Sequence, residues 1–289
     1  MALETEHTIT LQLESIKAVF DKSSGILTEL TRTGANPIVR GPRLNIWRAA
    51  TDNDGIKLQD GQEWKALPRW LTLGLNKAIQ RVKSITIIHE DSPVVEVVHQ
   101  ISGRENWQDL EHIHRYQFLP SGELVVENRI TLGEGVRDIP RIGVNLVLDP
   151  GLAQLEWYGR GPWENYADRK ASALVGRFQS TVADQYVPYI MPQEHGHKTD
   201  VRWLTLTETT GHGLKIIGEP LIEFSASHFE ANDLFNAHHT CDLQPRAEVI
   251  LNLDLAQRGL GTASCGPDTL EQYCLSASSY EFSYRMQLL

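Results

Sequence analysis

The chain has 289 residues, 41% of them hydrophobic and 22% charged, which is enough apolar material for one large core and too much for a disordered chain. Its 37 acidic against 27 basic residues give a net charge of -10, a balance that repels a phosphate backbone and argues against nucleic acid as a partner. No basic run marks a membrane surface, and no apolar run approaches the roughly 20 residues of a membrane helix. Three cysteines without a CxxC pair exclude a zinc ribbon. With an N-terminus that lacks an apolar leader segment, they lead to the expectation of a cytoplasmic protein.

Strand patterns dominate along the chain. Residues 7–14 alternate apolar and polar side chains, the period of a half-buried strand. Residues 18–20 and 26–30 flank Asp21-Lys-Ser-Ser-Gly25 and read as a hairpin with a short glycine turn. The same device recurs around Pro120-Ser-Gly122, between strands at 112–118 and 124–130. It appears again around Thr209-Thr-Gly211, between strands at 201–206 and 214–217. Residues 280–289 read as a closing strand. No amphipathic helix exceeds about three turns, so a doubly wound α/β fold is excluded and an all-β sandwich is expected. No linker divides the chain. Residues 1–8 are read as an N-terminal extension and residues 9–289 as one domain.

Four loops combine aromatic residues, carboxylates, amides and glycines, at residues 47–55, 157–169, 189–197 and 259–267. That mixture suits sugar contact, in which aromatic faces meet C–H faces and polar groups take hydroxyls. Glu164 and Asp168 form a candidate carboxylate pair for glycoside hydrolysis. Four residues apart in a Gly/Pro loop, nothing holds them at the required separation, and capping of turns or pairing with Arg160 and Arg169 is the expected role. His112 and His114 are expected on one face of a strand, His195 and His197 flank Gly196, and His238 and His239 would fall on opposite faces of a strand. None of these pairs has a third ligand at convincing spacing, so no metal site is assigned. Read as a calcium loop, Asp52 to Glu63 has Ile56 where an oxygen ligand belongs and Lys57 where glycine belongs, which leaves an Asx-type turn. Cys265 has no local base or electropositive setting, and Ser264 lies outside any Gly-x-Ser-x-Gly elbow.

Four motifs in order carry a resemblance. They are Trp47-Arg-Ala-x-x-Asp-Asn-Asp54, Gly159-x-Gly-Pro-x-Glu-Asn-Tyr-x-Asp-Arg169, Tyr186-Val-Pro-Tyr189 with Pro192-x-Glu194-x-Gly196, and Gly259-Leu-Gly261 with Ser264-x-x-Pro267. Together they resemble the last domain of glycoside hydrolase family 2 β-galactosidases, and the separately encoded small chain of two-chain β-galactosidases. The resemblance implies a large antiparallel supersandwich of the galactose mutarotase type. It implies that the catalytic glutamates, and the magnesium and sodium sites, belong to a TIM-barrel portion outside this chain. That portion would act by retaining double displacement on lactose-like β-D-galactosides. The domain itself would be non-catalytic and would close one side of the active-site pocket. The family's loop Ser-Trp-x-Pro places an aromatic residue at the entrance, and here Cys265 stands in the tryptophan's place, after Ser264. A mobile loop follows Asp-Asn-Asp in the family, and the matching segment from Asp54 and Gly55 to Gln62 is shorter. Asp54, Gly55, Ser264 and Cys265 are thus the residues expected to contribute to substrate binding. Trp64, Trp70 and Trp163 are candidates for the surface on which the barrel docks. Two other classes stay open. One is a free-standing mutarotase-like epimerase, with Glu164 and His195 as acid and base, although the Asn-His-x-Tyr-Phe segment of mutarotases is missing. The other is a carbohydrate-binding module.

Overall fold

A computed structural model gives the fold of the chain and describes residues 1–289 except residues 33, 35, 58 and 90. Its strands are β1 (Ala2–Glu4), β2 (Thr8–Leu13), β3 (Ile16–Asp21), β4 (Ile26–Thr31), β5 (Ile38–Asn45), β6 (Ile79–Ile88), β7 (Val94–Ser102) and β8 (Leu110–Phe118). They continue as β9 (Leu124–Leu132), β10 (Arg141–Leu148), β11 (Gln154–Gly161), β12 (Leu174–Thr181), β13 (Lys198–Thr207), β14 (Gly213–Ser227), β15 (Val249–Gln257) and β16 (Ser279–Leu288). Two short helices interrupt them, α1 (Ala66–Thr72) and α2 (Ala231–Asn236). The strands expected at 112–118 and 124–130 are β8 and β9. Their burial alternates along the chain, as a sheet with one face on a core requires.

All pairings are antiparallel. Strands β1 to β4 form a small meander in chain order, with Ala2 opposite Leu11. A larger sheet runs β12-β11-β13-β14-β16-β9-β8-β7-β6. The 15-residue β14 takes part in two arms of that sheet. Its first half pairs with β16 and its second half, from Glu223 to Ser227, pairs with β15, which continues to β10 and β5. The change of partner falls at Pro220, a residue with no backbone N–H to give to a ladder. The meander packs on β7 and β8, where Phe20 meets Tyr116 with ring centroids 4.7 Å apart. Two curved antiparallel layers over one apolar core make this a supersandwich.

The short arm β5-β10-β15-β14 positions the chemistry. Its inward face carries Ile142, Val144, Leu146 and Leu148 of β10, all fully buried. Its other face carries polar rungs that cross the strands. Arg43, Asn145, Asn252 and Ser225 form one rung, and Asn45, Gly143, Asp254 and Glu223 form the next. Glycine at 143 follows from its neighbour, since a Cβ there would lie 2.3 Å from the Asp254 carboxylate. Because loops cover this outer face too, seven of the eight residues of β10 are buried.

Trp70 is a correction to the expected docking surface. It sits on the inner side of α1 with no exposure, and its indole Nε1 donates to Asp138 O at 2.6 Å. Trp64 and Trp163 are exposed, at 54% and 57%. His238 and His239 are corrected as well. They lie in a loop rather than a strand, with both backbone N–H groups bonded to Asp242 at 3.0 and 2.9 Å. No helix among the described residues is long and apolar enough to cross a membrane.

Candidate functional site

The four motif loops gather over the polar rungs and are fastened to one another by buried charge. Arg48 is the first centre. Its Nε and Nη2 donate to the two oxygens of Asp54 at 3.1 and 2.6 Å, and neither side chain has any exposure. Its Nη1 and Nη2 also reach the start of the fourth motif loop, at Arg258 O (2.5 Å) and Gly259 O (3.3 Å). Asp54 also receives the Thr51 N–H at 2.9 Å, which closes its own turn. Arg258 in turn binds Asp138 at 2.7 Å and Asp268 at 3.0 Å, and so anchors the far side of the 259–267 loop.

Arg141 is the second centre. It grips Asp254 through Nε and Nη2 at 2.8–3.2 Å and reaches Glu194 at 3.3 Å. Gln257 Nε2 donates to Glu194 at 3.0 Å and contacts His197 Nδ1 at 3.1 Å, while His197 Nε2 lies 2.9 Å from Glu223. Burial alone would raise the Glu194 carboxyl; the Arg141 guanidinium beside it outweighs that and holds it below its ordinary value. Glu194 N also donates to Ala49 O at 2.9 Å, so the first and third motif loops share one contact.

Neither acid of the 157–169 loop is free for chemistry. Glu164 accepts the Tyr189 hydroxyl, the Gly196 N–H at 2.9 Å and Arg169 at 3.5 Å. Asp168 accepts the backbone N–H groups of Leu260 and Gly261 at 3.0 and 2.8 Å. Arg169 is therefore the partner of Glu164, as expected, whereas Arg160 pairs with Asp200. His195 bonds Gln193 O through Nδ1 at 3.0 Å, and Glu164 is not among its partners. A cleft of about 610 Å³ opens beside this loop, with Trp163, Glu164, Arg169, Tyr189 and Lys198 in its wall. Burial lowers the Lys198 ammonium to about 8.

The four expected contributors differ in burial. Asp54 and Gly55 are buried at the base of the cluster, and Ser264 and Cys265 are exposed at its rim. Both oxygens of Asp54 are used inside the chain, so its place is beneath the surface. The link between base and rim is Asn53. Its amide nitrogen donates to Gly261 O at 2.8 Å, and its oxygen accepts the Ser264 N–H at 3.0 Å and hydroxyl at 2.7 Å. In the sequence Asn53 stands between two aspartates and carries no signal of its own. An amide is the one side chain of the three able both to donate to and to accept from a facing loop.

Lys57, which stands where a calcium loop has glycine, ties the segment after Gly55 in place. Its buried Nζ donates to Pro192 O and Leu234 O at 2.7 Å and to Ala237 O at 3.2 Å. Burial lowers it to about 8. Leu58, in the same segment, lies outside the described residues. His99, which no motif marks in the sequence, stacks in the core with His112 and His114. The rings of His112 and His114 are 3.5 Å apart, on one face of β8 as expected. Among the described residues no group of three or more His, Cys, Asp or Glu is arranged to hold a metal ion.

A supersandwich whose loops are welded into one polar cluster, with most of their acids used as ties, has the galactose mutarotase-like fold. The solved structure of an aldose epimerase homologue from C. elegans superposes on it with a TM-score of 0.51 over 98% of both chains, at 11% identity. The profile of the β-galactosidase small chain matches residues 12–286, and the chain belongs to that family. A β-galactosidase of Priestia megaterium is 32% identical over 261 residues, 89% of this chain and 24% of that protein. One of an Arthrobacter species is 32% identical over 82% of this chain and 25% of its own length. The chain thus spans about a quarter of the curated relatives it matches.

Proposed function

We propose that this chain is the non-catalytic part of a β-galactosidase and that it completes the active-site pocket formed mainly by a catalytic TIM-barrel portion or large chain. The observation that carries the reading is the fate of the acids. The carboxylates of Asp54, Glu164, Asp168 and Glu194 are consumed as structural ties, leaving Asp52 as the exposed acid of the motif loops, while the exposed Ser264 and Cys265 stand at one rim, ready to meet a sugar held elsewhere. The matched share of the relatives agrees, since about three-quarters of their length lies outside the match. In this reading the barrel supplies the nucleophile and the acid/base glutamates, together with the magnesium and sodium sites. This chain supplies Ser264 and Cys265 at the entrance, with Asn53 and Asp168 holding their loop and Asp54 and Gly55 closing the turn that carries Asn53. The substrate is a β-D-galactoside such as lactose.

The docking surface we assign to the barrel includes Trp64, Leu71, Trp163 and Ile190, exposed at 54%, 39%, 57% and 91%. The chain alone, the barrel portion alone and their mixture are to be assayed with a chromogenic β-galactoside. Activity only in the mixture is the expected result, and turnover by the purified chain alone would overturn the reading. Catalysed interconversion of galactose anomers by the chain alone would favour the epimerase class instead, and galactose binding without either activity a carbohydrate-binding module.

A further inference from the structure

Away from the motif rim, the first polar rung floors a cavity of about 210 Å³ between β5, β10 and β15. Its hydrogen-bonding groups are unequally used. The buried side-chain acceptors are spent: Asn252 Oδ1 takes the amides of Asn45 and Asn145 at 2.9 and 2.8 Å, and Asn145 Oδ1 takes Arg40 Nη2 at 2.7 Å. Gln80 Oε1 takes the Leu44 N–H at 3.3 Å. The carboxylate of Glu230 is shared between Arg40 at 3.1 Å and Arg246 at 3.7 Å.

The donors are left over. Trp47 is 6% exposed, and its indole N–H is buried with no acceptor; the same holds for Arg40 Nε and Gln80 Nε2. These three residues and Arg43 all line the cavity. Among the described residues the Arg43 guanidinium has neither an ion-pair partner nor a side-chain hydrogen bond. Burial and then the charge of Arg40 lower its pKa, and the more distant Glu230 carboxylate offsets them only in part. Buried donors of this kind are rarely left open, and guanidinium forks match the oxygens of carboxylates and phosphates. A neutral sugar offers hydroxyls that donate as well as accept, and would bring further donors to a site already in surplus. Arg40 keeps 33% of its side chain exposed, so the cavity can be reached from solvent.

We propose that this cavity is a binding site for a small oxyanion, the phosphate or carboxylate group of a compact metabolite, held by Arg40, Arg43, Trp47 and Gln80. The proposal is independent of the β-galactosidase reading. Its test is calorimetric titration of the full chain with inorganic phosphate, acetate, galactose and chloride at matched ionic strength. A saturable 1:1 heat for phosphate or acetate is expected; the stronger of the two identifies tetrahedral or planar oxygens as the natural group. Arg43→Gln should weaken that binding at least tenfold. Gln80→Glu installs a carboxylate in the cavity, so it should abolish binding and raise the melting temperature of the anion-free chain by pairing with Arg43. Oxyanions no better than chloride would mean a merely hydrated cavity and would overturn the proposal. So would saturable binding of galactose alone, or oxyanion binding unchanged in both variants.

Discussion

Replacing Asp54 by asparagine tests whether the loop cluster is held by buried charge. The Asp54–Arg48 pair is 2.6 Å long with both side chains at 0% exposure. Lys17 and Glu29 form a pair of nearly the same length, 2.7 Å, at 46% and 32% exposure. Distance therefore does not separate the two; burial does. An exposed pair contributes about 0–1 kcal/mol, whereas removing one partner of a buried pair costs about 3–5 kcal/mol because it strands the other charge. Asp54→Asn also turns an NH2 group toward Arg48 or toward the Thr51 N–H, a donor facing a donor. Arg258, 3.9 Å from Asp54, loses part of its counter-charge as well. For a chain of this size about 2 °C accompanies each kcal/mol, so Asp54→Asn should lower the melting temperature by about 6–10 °C and Lys17→Met by about 2 °C or less. Thermal unfolding followed by circular dichroism reads both. Equal small shifts in the two variants would refute the claim that the cluster rests on this pair.

Acid stability should report the histidine stack. Burial pulls His112 from 6.5 to about 3, so the fold keeps it neutral while the unfolded chain protonates below about 6.5. Stability is then lost as pH falls from about 6.5 toward about 3, by about 2 kcal/mol at pH 5 from this residue alone. Urea unfolding at pH 7 and pH 5 should show a smaller difference in His112→Asn than in the parent; an unchanged difference would count against the stack as its source. In the assembled enzyme, Cys265→Trp should lower the Michaelis constant for a galactoside a few-fold, about 1 kcal/mol of added stacking. Cys265→Ala should leave the melting temperature unchanged, because the thiol is exposed; a large loss of stability in both variants would show the loop to be core. Trp163→Ala should weaken recovery of activity on mixing with the barrel portion while sparing the chain's own melting temperature. Unchanged recovery would remove Trp163 from the docking surface.

The strands that could be read in advance were those with one wet face. The alternation in β2, β8 and β9 is a direct image of a half-buried sheet, and the glycine turns between them set the hairpins. Strand β10 was not legible by period, because Arg-Ile-Gly-Val-Asn-Leu-Val-Leu is covered on both faces. The polar rungs across β5, β10, β15 and β14 join residues more than a hundred positions apart, which no local window can reveal. Within the site, the motif spacing located the loops and the resemblance supplied their role, but not their fastenings. Trp70 was misplaced because tryptophan content says nothing about which side of a short helix faces inward. Arg141, in a stretch without any motif, is central only because Glu194 and Asp254 converge on it.

The span of these fastenings bears on how the chain is made. Arg48 is fastened to the carbonyl of a residue 210 positions later, and Arg141 to a carboxylate 113 positions later. At about 5–20 residues per second, a ribosome needs roughly 10–40 s to deliver the first of those partners. Throughout that interval Arg48 and Asp54 have each other but no enclosing loops, and water competes for both. The early meander β1 to β4 pairs only within itself, whereas the charged cluster cannot be completed until β15 and Arg258 have been made. Truncations that end before residue 258 should therefore keep a formed N-terminal sheet, while the uncovered apolar face of the unfinished larger sheet recruits chaperones.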